Sequence, residues 1–408
     1  MLKKIVILVC DGLGDRPIKN LGALTPLEAA KTPNLDALAK EAECGMMYTL
    51  GRCQVPGSDV AHLAIMGYSQ HEYYSGRGTI EVAGIGINLR PGDVALRGNF
   101  GTVDDNQLII DRRAGRIRVV EQLTQSLDGL EIDGVKFVVK PGTGHRAGIV
   151  MRGEGLSNAI IDADPHKPGI PIRNVTPTNN SPKAQRTAQV LNKFLEKSHE
   201  ILKKHPLNEI RKKEGKYPAN YLLVRGAGFY KKVPSFEERY NLSSCCIAGG
   251  GLYKGVGSFL GMKVIKVPEA TGLPDTNIKA KFQSVLTCID KYDFVFVHVK
   301  AADSLGEDGN FEGKKNFIEK LDSASKLLLN LPDDVLLIIT ADHSTPCELK
   351  SHSADAVPIL YRGNGVRTDD VMAFNERACK KGGLGIIEGK HVIPHAQNLL
   401  GTLKLVGA

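Results

Sequence analysis

Val335-Leu336-Leu337-Ile338-Ile339-Thr340-Ala341-Asp342-His343-Ser344-Thr345 is the stretch that decides the fold. Its first five residues are apolar without interruption, so neither face of the segment is made for water. Short runs of this kind suit strands of a parallel sheet that helices cover on both sides. The run ends on two adjacent ionisable side chains, Asp342 and His343, which are costly at such a strand end unless they are paired or metallated. A carboxylate oxygen and an imidazole nitrogen together suit Mn²⁺ or Zn²⁺. A second imidazole follows soon after, in Ser351-His352-Ser353-Ala354-Asp355.

Similar apolar runs recur at Ile5–Cys10, Tyr221–Val224, Cys245–Ala248, Val264–Val267 and Phe294–Val299. Between them, Pro33–Ala42, Asp59–Met66, Pro182–Lys203, Thr276–Ile289 and Phe311–Leu329 repeat apolar residues at three- and four-residue spacing, which predicts helices. The two ends of the chain therefore read as a doubly wound α/β layer. Residues 81–180 differ: alternating, glycine-punctuated segments such as Asn99-Phe100-Gly101-Thr102-Val103, Val135–Lys140 and Gly148–Met151 predict a smaller α+β insertion. Turn-rich stretches, Ser75–Gly78 and Pro171–Pro182, bound it. The expected layout is a discontinuous core, 1–80 and 181–408, interrupted by residues 81–180.

The length agrees, since 408 residues exceed the ~100–200 of one domain. With 42% hydrophobic and 24% charged residues the composition is that of a folded globular chain. Lys and Arg number 53 against 45 Asp and Glu, and the net charge of +8 is spread thinly, with Lys193–Lys216 interleaved by glutamates. That argues against nucleic acid as a partner and suits a small anionic substrate. The eight cysteines form no C-x-x-C pair, and the first apolar run is too short for a signal or a membrane span. A cytoplasmic protein with reduced thiols and no membrane association is expected, and an oligomer is compatible with all of this. No phosphate-binding G-x-x-x-x-G-K-[ST] and no G-x-G-x-x-G occurs, so no nucleotide is expected.

Three more segments place reactive side chains where an α/β sheet presents a site. Asp11 follows the run Ile5–Cys10 and precedes Gly12-Leu13-Gly14-Asp15. Ser58, in Val55-Pro56-Gly57-Ser58-Asp59, opens a helical stretch, where free N–H groups favour an alkoxide or a phosphate. A G-x-S-x-G elbow is absent, which disfavours an esterase. Asp303 and Glu307 follow the run Phe294–Val299 and lie four residues apart, so one helical turn puts both carboxylates on one side, as a divalent cation needs. Together the four segments hold two carboxylate and histidine clusters and one hydroxyl, the inventory of two-metal phosphoryl transfer.

Val9-Cys10-Asp11-Gly12-Leu13-Gly14-Asp15-Arg16-Pro17, Lys31-Thr32-Pro33-Asn34-Leu35-Asp36, Gly57-Ser58-Asp59-Val60-Ala61-His62-Leu63 and Ala341-Asp342-His343-Ser344-Thr345 resemble the alkaline phosphatase superfamily. Within it, nearly the whole chain is similar to the archaeal-type 2,3-bisphosphoglycerate-independent phosphoglycerate mutases. The resemblance implies an alkaline-phosphatase-like core with the insertion as a lid. It also implies interconversion of 3- and 2-phosphoglycerate through a phosphoserine, without 2,3-bisphosphoglycerate. Two divalent ions are implied, Mn²⁺ first, with Zn²⁺, Co²⁺ or Mg²⁺ as alternatives. Carried over, Ser58 is the nucleophile; Asp11, Ser58, Asp342 and His343 hold one metal, and Asp303, Glu307 and His352 the other. Glu307 departs from the histidine usual in that family, with Asp308 or His298 as substitutes. For the substrate's anionic groups the cationic and neighbouring candidates are Arg112, Arg113, His145, Arg146, Asp164, His166, Arg225 and Lys254. The alternative is a metal-dependent phosphohydrolase, or another phosphomutase, on the same core.

Overall fold

Among the described residues of this computed structural model, 2–405 and 407, the strands run in chain order β1 (Lys4–Cys10), β2 (Ala42–Tyr48), β3 (Val94–Val103), β4 (Ile109–Asp111), β5 (Glu131–Ile132), β6 (Val135–Pro141), β7 (Arg146–Arg152), β8 (Tyr221–Phe229), β9 (Ser244–Ile247), β10 (Lys263–Ile265), β11 (Phe294–Val299), β12 (Val335–Thr340), β13 (Val357–Arg362) and β14 (Gly385–Glu388). They belong to two units: one holds the residues up to Tyr74 and from Pro234 onward, and the other is Ser75–Val233.

The first unit is built on an eight-stranded sheet of order β10-β9-β11-β1-β12-β13-β2-β14. Neighbours from β10 to β12 pair in parallel, and β13 alone runs against the rest. β11 and β12 are buried along their whole length, as their uninterrupted apolar sequence requires. The register places the site. Val9 of β1 pairs with His298 of β11 on one side and with Thr340 of β12 on the other. The three strands therefore end at one level, and the residues just beyond them, Asp11, Lys300 and Asp342, emerge together at the carboxyl edge of a parallel sheet.

The second unit is an antiparallel sheet of order β4-β3-β7-β6-β5, with β8 also paired to β3. The helix Pro182–Lys203 has the predicted bounds, with Ser181 capping it by accepting from the Ala184 amide and a proline in its first turn. It packs on this sheet, Phe194 stacking on Phe137 at 3.9 Å with the ring planes 2° apart.

Here the structure departs from the expected boundary at 180. The helix and β8 both belong to the smaller unit, which extends to Val233. Tyr221–Val224 was expected in the parallel core sheet, yet it forms the start of β8 and runs antiparallel to β3. The cause is double burial: Leu222 and Val224 enter the large cluster with Phe137 and Phe194, while Tyr221 and Leu223 pack with Val103 and Ile109 on the other face. A strand covered on both faces reads as uniformly apolar whatever its partner's direction.

Candidate metal centre

Gly12 lets the chain turn out of β1 with a φ of +63°, and a Cβ there would stand 2.6 Å from Asp303. The turn brings Asp11 against residues that leave β11 and β12. Asp11, Asp342 and His343 present ligand atoms that all lie within 4.8 Å of one another, and so do Asp303, His343 and His352. His343 thus belongs to both groups. Its Nε2 is 3.5 Å from Asp11 Oδ1 and 3.2 Å from Asp342 Oδ2, and its ring stacks on His352 at 3.6 Å.

The other atoms of these side chains are held by the protein. The amides of Gly12 and His343 both donate to Asp342 Oδ1 at 3.1 Å. Thr345 Oγ1 donates to Asp303 Oδ1 at 2.8 Å, and Lys300 Nζ to Asp303 Oδ2 at 2.7 Å. His352 Nδ1 lies 2.8 Å from the Pro56 carbonyl, leaving Nε2 aimed at Asp303 Oδ1, 3.4 Å away. Ser58 is the first residue of the helix Ser58–Ile65, and its Oγ is 3.3 Å from His343 Nε2.

Three carboxylates in this dry site face one lysine. Burial works to raise the Asp11 carboxyl, but Lys300, with His298 and His343 beside it, holds it well below the ordinary range. Burial pushes Asp342 well above that range, and the charges of Asp11 and Asp303 add to the effect. His343 is pushed down to about 4, first by burial, so it is a neutral imidazole at pH 7. Asp11 Oδ1 and Asp342 Oδ2 are buried with no hydrogen-bond partner. Buried carboxylate oxygens without donors next to the neutral His343 imidazole are the donor set that a divalent cation completes, so the residues present fit a metal.

Glu307 is not among the converging atoms. It ends the helix Ala301–Glu307 with an exposed side chain. Partial burial and then the Asp303 charge raise its carboxyl, with Lys300 and His352 pulling the other way. His298, one of its suggested substitutes, instead lies 3.2 Å from Asp11 Oδ2.

The smaller unit gathers charge of the opposite sign. Arg112 grips Asp164 with two bonds of 2.9 and 2.6 Å, and Arg225 Nη1 lies 3.0 Å from His166 Nδ1. Arg225 Nε is 3.8 Å from Asp164 and has no hydrogen-bond partner. His145 is pushed down to about 4 by burial and by Arg146, Arg113, Arg97 and Arg225. Arg113 and Arg146 are themselves exposed. Lys254 is half-buried in the larger unit, where its charge acts on Cys246 and Lys281.

A family model for the Metalloenzyme superfamily matches residues 3–398. The 2,3-bisphosphoglycerate-independent phosphoglycerate mutase of Methanocaldococcus jannaschii is 48% identical to this chain, with 99% of each covered. That of Archaeoglobus fulgidus is 46% identical over 99% of this chain and 100% of its own. Among solved structures, a cofactor-independent phosphoglycerate mutase from Thermoplasma acidophilum superposes with a TM-score of 0.74 at 36% identity, over 98% of this chain and 100% of its own. A Pyrococcus horikoshii protein does so with 0.86 at 37% identity over all of both chains. This chain belongs to the 2,3-bisphosphoglycerate-independent phosphoglycerate mutase family.

Membership in the Metalloenzyme superfamily, together with the two ligand groups, makes this mutase-family chain metal-dependent. No helix among its described residues is long and apolar enough to cross a membrane. Sequence reasoning missed several residues of its sites. Tyr253 donates its hydroxyl to Asp11 Oδ2, and nothing in Gly250-Gly251-Leu252-Tyr253 marks it as more than an apolar helix residue. Arg97 had a visible signal, a lone cation inside the run Val94-Ala95-Leu96-Arg97. It is buried opposite Arg225 on the β3–β8 ladder, with Nη1 3.1 Å from Glu81 and Nε unpartnered. Burial, with Arg225, Arg77 and Arg146 near it, pushes its guanidinium down to about 10 against the pull of Glu81.

Proposed function

We propose that the chain interconverts 3-phosphoglycerate and 2-phosphoglycerate through a phosphoserine at Ser58, without 2,3-bisphosphoglycerate as a cofactor. The observation that carries this reading is the seat of Ser58 Oγ, 3.3 Å from the imidazole shared by two buried carboxylate and histidine groups. Family membership supports it, because the relatives matched over almost their whole length are named for that activity.

In this reading Asp11, Ser58, Asp342 and His343 hold one divalent cation, and Asp303 and His352 hold the other, with Glu307 or the shared His343 completing it. Mn²⁺ is the proposed ion, since the set mixes hard oxygen with borderline nitrogen donors, and Zn²⁺, Co²⁺ and Mg²⁺ are the alternatives. Held by these residues, divalent cations would supply charge that lowers the pKa of the serine hydroxyl and offsets the non-bridging phosphate oxygens. Ser58 gives up its proton and attacks phosphorus in line from the start of its helix, whose free N–H groups favour the incoming charge. The bond from phosphorus to the C3 oxygen breaks, and that oxygen takes up a proton. The C2 hydroxyl of the glycerate then gives up its proton and attacks the phosphoserine, the bond from phosphorus to Ser58 Oγ breaks, and that oxygen takes a proton back.

Water must be kept from that phosphoserine, because a mutase that admitted water would be a phosphatase. Arg112, Arg225 and His166, with Asp164 orienting them, and with Arg113, His145 and Arg146 contributing charge, are assigned to the substrate's anionic groups. Lys254 has the weakest claim, since its charge acts on neighbours outside either group.

The test is product analysis by ³¹P NMR with 3-phosphoglycerate and Mn²⁺. Conversion to 2-phosphoglycerate is expected, and release of inorganic phosphate alone would make the chain a phosphohydrolase instead.

A further inference from the structure

The two oxygens of Asp11 meet different surroundings. Oδ2 receives the hydroxyl of Tyr253, and it lies 3.2 Å from His298 Nε2 and 3.7 Å from Lys300 Nζ. Oδ1 has no hydrogen-bond partner and faces His343 Nε2 at 3.5 Å, inside the ligand group. One oxygen is therefore tied to the protein wall while the other is left to a ligand.

Tyr253 is built to do the tying. It comes from the helix Gly251–Phe259 and is 2% exposed. Its ring stacks on His298 with centroids 3.4 Å apart and planes 16° apart, and His62 leans on both rings at 5.1 Å. A Cβ on Gly250 would stand 2.9 Å from the tyrosine ring, so the ring is confined on that side as well. A phenol is protonated at neutral pH, so its hydroxyl is available as a donor to Asp11. Packing alone would accept phenylalanine here, and a hydroxyl in so dry a place needs the partner it has.

We infer that Tyr253 is a positioning residue of the metal group: its hydroxyl, steadied by the stack on His298, holds Asp11 as a one-oxygen ligand with Oδ1 turned toward Asp342 and His343. This rests on the reading that the group binds a divalent cation. Groups that orient a metal ligand from behind change metal affinity by about 10–100-fold when removed. Without the hydroxyl, Asp11 Oδ2 loses a donor and keeps only the longer approaches of His298 and Lys300, so the carboxylate is freer to rotate.

The experiment is calorimetric titration of the metal-stripped full chain with Mn²⁺, for the wild type and Tyr253→Phe. One of two Mn²⁺ steps is expected to weaken by about 10–100-fold, with the other little changed. The melting temperature in EDTA should hold, and at saturating Mn²⁺ the loss should fall on kcat rather than on KM for 3-phosphoglycerate. Two steps that both match the wild type would overturn the inference alone. A wild type that binds no Mn²⁺ would overturn it together with the metal assignment. Where Tyr253→Phe fails to fold, His298→Gln, which removes the ring beneath Tyr253, is expected to weaken the same step, and an unchanged step there also overturns the inference.

Discussion

The two units of this chain bury charge of opposite sign, and each leaves it incomplete. In the larger unit Asp11, Asp303 and Asp342 are deeply buried, Lys300 pairs with Asp11 and Asp303, and two carboxylate oxygens lack any donor. In the smaller unit Arg97, Arg112 and Arg225 share Glu81 and Asp164, and two guanidinium Nε atoms lack an acceptor. A buried polar atom without a partner costs about 1–3 kcal/mol, more when charged. On the proposed reading, such atoms await ligands of opposite sign, cations in one unit and an anion in the other.

If that contrast is right, the largest effect comes from the group that does chemistry. Ser58→Ala is expected to lower mutase turnover by at least about 10³-fold, with an unchanged circular dichroism spectrum. Appreciable turnover in the variant would remove the serine from the reaction and leave the larger unit as a binding site only. Chelation comes next. EDTA should abolish activity, which Mn²⁺ restores, and it should lower the melting temperature, since a ligand at a hundredfold its Kd stabilises by about 2.7 kcal/mol. A melting curve indifferent to EDTA and Mn²⁺ would say that the carboxylate group is not a cation site.

The smaller unit should respond the other way round. Arg225→Met is expected to raise KM for 3-phosphoglycerate by about 10–100-fold, as the loss of a charged hydrogen bond implies, with Mn²⁺ affinity unchanged. Asp342→Asn should do the opposite, weakening Mn²⁺ binding with the smaller unit intact. Parallel effects of the two variants on both quantities would dissolve the division of labour.

What the sequence reveals of this division follows from how local each signal is. Asp342-His343 at the end of an apolar strand is legible because strand, carboxylate and imidazole are neighbours in the chain. Asp11 and Ser58 are legible for the same reason. Glu307 was expected from its spacing to Asp303, but spacing fixes only the side of the helix a residue occupies and not how its side chain extends, and the structure leaves this residue exposed. Tyr253 reaches Asp11 from 242 residues away, and no periodicity announces a contact of that range. The α/β core with an α+β insertion was readable from pattern, whereas the far edge of the insertion was not, since β8 looks like a core strand until its partner β3 is known.

The smallest effect lies outside both charged groups and serves as their control. Glu376 accepts from the Thr25 hydroxyl at 2.9 Å and the Asp15 amide at 3.2 Å, and burial pushes its carboxyl from 4.5 up to about 7. A carboxyl whose folded pKa is raised binds more protons when folded, so its contribution is full below about 4.5 and is lost as pH rises through about 7. Glu376→Gln has no proton to lose and keeps an acceptor oxygen. Between pH 5 and 8 its melting temperature should therefore gain on that of the wild type by a few degrees, within a ceiling of about 3 kcal/mol. Unlike the changes at Asp342 and Arg225, it should leave both Mn²⁺ affinity and KM where they were. Melting curves of the two proteins across that range that stay parallel would show that this carboxyl titrates normally.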